Sequence, residues 1–503
     1  MRMPVVKCVV REWDTKEEIM NKRILYIVIA CAMLLPSILI AQDAVSEGSK
    51  LVEKLKFDEI EWDIPKLGVD VTVDTLDNGM VLFMMEDHRL PVFNVNAIIR
   101  TGARYEPIEK MGLAGLTGTV MRTGGTDTLD PDSLNAEIEY LAASVETRIG
   151  DESGSARLNC MSKDIDRGLA LLADIMMNPA FRQDKIDLEK DQIKENIRRR
   201  NDSPGSICSR EFFHLLYDDH PYGSILEWET VAGITREDMI AFHDKYYVPN
   251  NVWLGITGDF KIEEMREKIS KAFAGWDKKD VEFPAITNLE RNFNPGVYLI
   301  NRDVTQSNIR FGHLGVDQYN PDRFAISIMN YILGGGSFTS RMTTEVRSNM
   351  GLAYSVGSSF STGSIELGSF YAYCQTKTET THKAIAEMVR QIKQIKEDKV
   401  TDTELNGAKD SYINRFVFGF TDPSSIVARL MNLEYENMPR DFYETYLDKV
   451  RAVNRDDVQR VAKKYLDPDH MTFLVVGDTE NFDAPLDEFG EINMIDLKEP
   501  VVE

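Results

Sequence analysis

The sequence predicts an α+β protein of two homologous lobes, each a mainly antiparallel sheet with helices packed on one face. Three observations carry this expectation. A set of landmarks recurs at a constant spacing, strand and helix patterns alternate within the first copy, and a charged, proline-marked stretch separates the copies.

The recurrence is the strongest of the three. Thr235-Arg236-Glu237-Asp238 opens a helical stretch that leads to Lys245-Tyr246, Pro249 and an apolar strand from Val252 to Thr257, closed by Gly258-Asp259. Asn454-Arg455-Asp456-Asp457 opens another, leading to Lys464-Tyr465, Pro468 and the strand Thr472 to Val476, closed by Gly477-Asp478. Each landmark of the second set stands 219 positions after its counterpart (454 against 235, 464 against 245, 468 against 249, 477 against 258). Thr235 and Asn454 are good helix N-caps followed by acidic residues, and the prolines stop each helix before its strand.

Within the first copy, Val71-Thr72-Val73 and Val81-Leu82-Phe83-Met84 flank Asp77-Asn78-Gly79, a hairpin turn. Phe93 to Ile99 reads as a further strand. Apolar periodicity from Ile165 to Met177 reads as a helix closed by Asn178-Pro179, and a charged helix runs from Gln183 to about Arg200. Lys278-Lys279-Asp280-Val281-Glu282-Phe283-Pro284 reads as the start of a linker. The expected lobes are therefore Lys66 to Asp280 and Arg291 to Glu491, with a linker at 281–290 and a tail at 492–503.

Composition bounds the function. Of 503 residues, 43% are apolar and 28% charged, which suits a folded chain with a soluble surface. The formal charge of −24 repels phosphate backbones and argues against nucleic acid as a partner. At the start, Met20-Asn21-Lys22-Arg23 precedes an apolar run from Ile24 to Ala41, the layout of a secretory signal peptide over 1–41. Translation is expected to begin at Met20, and the mature chain near Gln42 with an extension over 42–65. Export to a bacterial periplasm follows as the expected location. Two alternatives remain: an uncleaved run of this length anchoring in a bilayer, and a lipoprotein box at Val28-Ile29-Ala30-Cys31. Beyond the signal only Cys160, Cys208 and Cys374 remain, too few for a disulfide framework.

Arg100-Thr101-Gly102-Ala103-Arg104-Tyr105-Glu106 followed by Gly112-Leu113-Ala114, then His220-Pro221-Tyr222-Gly223, and the stretch Arg347 to Val356 occur in an order that resembles the insulinase/pitrilysin family of zinc metallopeptidases. The likeness runs over nearly all of the chain after the signal. It implies a clam-shell architecture of which this chain forms half.

Active members of that family carry His-x-x-Glu-His on the helix after the Gly-Leu-Ala motif. Two imidazoles hold zinc and the glutamate activates the bound water. The matching positions here are Gly115, Gly118 and Thr119, none of which can do those jobs. The two interior glycines each cost about 1 kcal/mol relative to alanine. They read as relaxation after loss of the metal or, alternatively, as room for another backbone. Glu195 stands near the family's third ligand position and otherwise reads as a surface residue beside Arg198 and Arg199. The seven histidines (His88, His214, His220, His243, His313, His382 and His470) form no pair at ligand spacing on one helix, and His220 reads as a turn residue. No metal is therefore expected on this chain.

The second lobe keeps a different feature. Leu333-Gly334-Gly335-Gly336-Ser337-Phe338-Thr339-Ser340-Arg341 leads to Glu345-Val346-Arg347 and Gly351-Leu352-Ala353-Tyr354. The resemblance maps the family's peptide-holding arginine and tyrosine onto Arg347 and Tyr354. Taken alone, the two are also ordinary residues of a helix end and a strand, and the glycine run reads as a helix C-cap and turn. The resemblance implies a non-catalytic subunit that complements a zinc-bearing paralogue and shares a peptide or unfolded-protein substrate with it. A cell-envelope peptide-binding or scaffolding protein is the alternative. An independent peptidase with unusual ligands has little support in these residues.

Overall fold

Asp77-Asn78-Gly79 reverses the chain between β1 (Thr72–Thr75) and β2 (Val81–Glu86), which pair antiparallel with Thr75 opposite Val81. Gly79 sits at φ +90°, and a Cβ there would meet that of Asn250 at 2.6 Å, so the turn and the packing both require glycine. The computed structural model describes residues 63–286, 289–291 and 294–502, which leaves the expected signal peptide and nearly all of the extension outside the described residues. From Ile64 onward the chain forms one compact unit.

The first half continues with β3 (Val92–Ile99), α1 (Leu113–Thr123), α2 (Pro131–Tyr140), β4 (Ser144–Ile149), β5 (Gly154–Met161), α3 (Ile165–Met177), α4 (Gln183–Arg198), α5 (Pro204–Tyr217), α6 (Trp228–Ala232), α7 (Arg236–Tyr246), β6 (Val252–Gly258) and α8 (Ile262–Ala272). The second half holds β7 (Gly296–Asn301), β8 (Gln306–Leu314), β9 (Val316–Asp317), α9 (Arg323–Asn330), β10 (Ala353–Phe360), β11 (Thr362–Gly363), β12 (Ser369–Lys377), α10 (Thr381–Glu397), α11 (Asp402–Val417), α12 (Pro423–Tyr435), α13 (Phe442–Ala452), α14 (Arg455–Tyr465), β13 (Thr472–Gly477) and β14 (Ile492–Met494). The helices expected at Thr235 and Asn454 both begin with reciprocal capping boxes, closed by Asp238 and Asp457.

Each half builds a six-stranded sheet. The orders are β1-β2-β6-β3-β5-β4 and β10-β12-β8-β13-β7-β14; read backwards, the second matches the first except at one edge, where β1 runs antiparallel to β2 and β14 parallel to β7. Most neighbours run antiparallel. β2 pairs parallel with β6, and β7 pairs parallel with both β13 and β14. The segment expected as a tail from residue 492 thus begins as the edge strand of the second sheet.

Alternation along the strands gives each sheet two apolar faces. Leu82, Met84, Leu254 and Ile256 face the helices of their own half, while Phe83 faces Val427, Leu430 and Met431 on α12, a helix of the other half. The second sheet mirrors this: Phe311, Phe473 and Val475 face their own helices, and Leu474 and Val476 face Ile207, Cys208 and Phe212 on α5. So each half keeps its own helices on one face and receives the other half's helix on the opposite face. α5 starts at Pro204 and α12 at Pro423, again 219 positions apart, so the exchanged helices are the same element of the repeat. A fully buried Phe, Leu or Met contributes about 1.5–3 kcal/mol, so the exchange joins the halves through core energy rather than surface contact. Among the described residues no helix is long and apolar enough to cross a membrane, and Cys160, Cys208 and Cys374 are buried free thiols.

Candidate functional site

The helix expected to carry zinc ligands is α1. It packs against β4, α4 and α7. Gly112 enters it at φ +97°, and the Glu106 carboxylate accepts from the N–H groups of Gly112 and Ala114, each at 2.8 Å. Glu106 therefore satisfies two of the donors that a helix N-terminus leaves open. Burial nevertheless lifts its carboxyl to about 7, against the pull of those two N–H groups.

The three motif positions have different surroundings. Gly115 is exposed, and a Cβ there would meet nothing within 4 Å. Gly118 is buried, and its Cβ would fall 2.3 Å from the Ile149 nitrogen on β4. The Thr147 hydroxyl donates to the Gly118 carbonyl at 2.7 Å, fixing that approach. Thr119 donates back to the Gly115 carbonyl at 3.1 Å. Gly115 thus meets no packing demand for glycine, whereas Gly118 serves the close approach of another backbone.

Glu195 lies on α4, the helix beside α1, and points to the surface. It forms a two-pronged pair with Arg198 at 2.8 and 2.9 Å and a second pair with Arg199. The hydrogen bonds from Arg198 hold its carboxyl below the usual range. Among the described residues no three His, Cys, Asp or Glu side chains gather as a metal site. The donor set at Gly115, Gly118, Thr119 and Glu195 does not fit zinc, because one surviving carboxylate already paired with arginine cannot replace two imidazoles.

Arg347 and Tyr354 come together at the edge of the second sheet. Arg347 lies in a π-helical turn, Thr343–Asn349, and Tyr354 on β10, which among the described residues pairs in that sheet only with β12. The register with β12 shifts between Ala353 and Ser355, so Tyr354 is the extra residue of a bulge. Its side chain is thrown outward and is 79 % exposed. The Arg347 guanidinium lies 5.3 Å from the Tyr354 ring and 4.7 Å from the ring of Phe338, itself 67 % exposed. Arg341, earlier in the same loop, is consumed by Glu404 at 2.6 Å, whereas no ion pair engages Arg347 among the described residues. The glycine run is a helix end: Gly334 and Gly335 close a π turn, and the Gly336 N–H returns to the Tyr331 carbonyl at 2.8 Å.

Phe338 was not legible as a site residue, because one aromatic in a glycine-rich turn carries no spacing signal. The role of Glu106 as a cap was also hidden, since it stands outside the usual capping-box spacing. The sequence motifs at Arg104 and His220 do meet in space. His220 is a turn residue, its Nδ1 accepting from the Tyr222 N–H at 3.2 Å. Arg104 pairs with Glu366 across the halves at 2.6 Å, and Glu152 accepts from both Tyr222 and Ser364 hydroxyls.

Two family models match successive stretches of the chain, and the second begins within the first half. Residues 83–227 match the family model described as Insulinase (Peptidase family M16), and residues 233–412 match Peptidase M16 inactive domain. An uncharacterized zinc protease of Rickettsia felis is 26% identical over 344 residues, covering 67% of this chain and 81% of that protein. The non-peptidase homolog YmxG of Helicobacter pylori is 23% identical over 398 residues, covering 78% and 90%. A crystal structure of a peptidase M16 inactive domain from Pseudomonas fluorescens shares the fold, with a TM-score of 0.74, 24% identity and coverage of 81% and 98%.

Proposed function

Because this chain belongs to the insulinase family, peptidase family M16, in a non-catalytic form, we propose that it is the complementary subunit of a zinc peptidase, presenting peptide to a metal held by a paralogous partner. The observation that carries this reading is the pairing of Arg347 with an extruded, exposed Tyr354 on an open sheet edge. A guanidinium and a phenol are donors suited to a carbonyl oxygen as it gains negative charge. An exposed strand edge offers main-chain groups to an extended peptide, so β10 would supply affinity where the two side chains supply position.

Zinc on the partner would polarise the scissile carbonyl and activate water. This chain's own part is binding and orientation. The apolar run after Arg23 supports export to a periplasm, with a mature start near Gln42.

Co-purification from the native host, followed by metal analysis and peptide-cleavage assays with and without this chain, tests the proposal. Addition of the chain should raise cleavage by the zinc-bearing partner. A partner equally active alone would leave a peptide-binding protein of the cell envelope as the function.

A further inference from the structure

Between the loop that leads from β9 into α9 and the helices α13 and α14 lies a cavity of about 510 Å³, with Tyr319, Phe324, Met438 and Phe442 in its walls. It shares no lining residue with the Arg347 and Tyr354 surface. Arg323 is half-buried against it. The Arg323 guanidinium lies 4.7 Å from the Phe442 ring and 5.8 Å from the Phe324 ring, and its Nη1 donates to the Gln318 carbonyl at 2.9 Å. Its Nε and Nη2 are not closed off by packing, and among the described residues no carboxylate pairs with them. Those two nitrogens form one edge of the guanidinium, the fork that a carboxylate meets with two parallel hydrogen bonds. From the exposed side, the Lys449 Nζ stands 5.8 Å from the same Phe324 ring, and it too has no ion pair among the described residues.

Charge selects what would fill the space. The acids that line it are already engaged. Asp322 receives Arg460 at 2.8 Å and Lys464 at 3.1 Å, and Asp457 caps α14 and pairs with Arg460 at 3.3 Å. Among the lining side chains Arg323, Lys449 and Arg460 stand against Asp322 and Asp457, which leaves one positive charge in excess. Burial works against the charge on Arg323, so a counter-ion there relieves a cost that the free chain bears. A monoanion balances the cavity, whereas a dianion would overshoot it beside two carboxylates.

We propose that this cavity binds a monocarboxylate borne on an apolar body, the carboxylate on the open edge of Arg323 with Lys449 beside it, the body among Tyr319, Phe324 and Met438. A free apolar acid and the C-terminus of a peptide share that chemistry. The site stands independently of any zinc-bearing partner. Calorimetric titration of the purified chain tests it. 4-Phenylbutyrate should bind saturably at one site. The uncharged 4-phenylbutanamide should bind about tenfold more weakly, and so should acetate, which lacks the apolar body. N-acetylglycyl-phenylalanine presents the same groups as a peptide terminus, and the tighter of the two acids identifies the source.

Arg323→Met should weaken 4-phenylbutyrate about tenfold, and Lys449→Met, at an exposed side chain, about threefold. Should Arg323→Met fail to fold, a crystal structure of the native chain in saturating 4-phenylbutyrate provides the same reading, with the carboxylate on Nε and Nη2 of Arg323. Equal binding of the acid and its amide, no saturable binding of either acid, or a carboxylate seated away from Arg323 would overturn the proposal.

Discussion

Gly118 faces Ile149 so closely that a Cβ on the glycine would stand 2.3 Å from the Ile149 nitrogen. The helix that carries the zinc motif in active relatives is here pressed onto β4 at the position of the catalytic glutamate. Gly118→Ala should therefore cost about 3 kcal/mol, as overpacking against a backbone does. Gly115→Ala, in open space on the same helix, should stabilise by about 0.5–1 kcal/mol. Denaturant midpoints of the two variants check the pair, and equal effects would contradict the packing account.

Rebuilding the motif should fail for the same reason. The triple variant Gly115→His, Gly118→Glu, Thr119→His is expected to unfold at lower temperature and to hold no stoichiometric zinc after dialysis. The native chain should likewise hold none. One tightly bound zinc per chain in either protein, measured by elemental analysis, would refute this.

Stability should fall with rising pH through one identifiable group. Burial raises the Glu106 carboxyl from 4.5 to about 7 in the folded chain. Folding then takes up a proton between those values. The stability tied to that proton is complete below about pH 4.5 and is lost as pH rises through 7. Glu106→Gln should remove this component, on the order of 2–3 kcal/mol across the window. Parallel pH profiles of the native chain and the variant would expose an error in the assignment.

Arg347→Ala or Tyr354→Phe should lower turnover by a reconstituted pair about a hundredfold, the usual effect of losing one transition-state donor. Thermal midpoints should not move, because Tyr354 is exposed and Arg347 has no ion pair to lose among the described residues. A matching loss of stability would make the two residues structural.

Phe212→Ala, on α5, should cost about 3–5 kcal/mol, and the whole chain should still unfold in one step. Phe212 belongs to the first half yet packs on the second sheet. Unfolding in two resolved steps would show that the halves are independent.

The helices beginning after Thr235 and Asn454 could be read from sequence because caps act within one turn. The strand and hairpin around Asp77-Asn78-Gly79 were legible for the same local reason. Glu195 also matches its plainer reading as a surface residue beside two arginines. What sequence could not provide was the destination of apolar faces. The pattern of α12 says that Val427 and Met431 are buried, yet nothing in it says that the first sheet buries them. Tyr354 sits on a bulge, and a bulge breaks the alternation from which a strand is read.

The exchange of α5 and α12 also bears on how such a chain can change over generations. The duplicated halves began as copies, but neither now folds over a surface that is wholly its own. A substitution at Gly255, whose Cβ would stand 2.9 Å from Val427, is judged by the opposite copy. Drift in one copy is therefore filtered by the other, and a mutation that suits one half survives only when the sister half admits it.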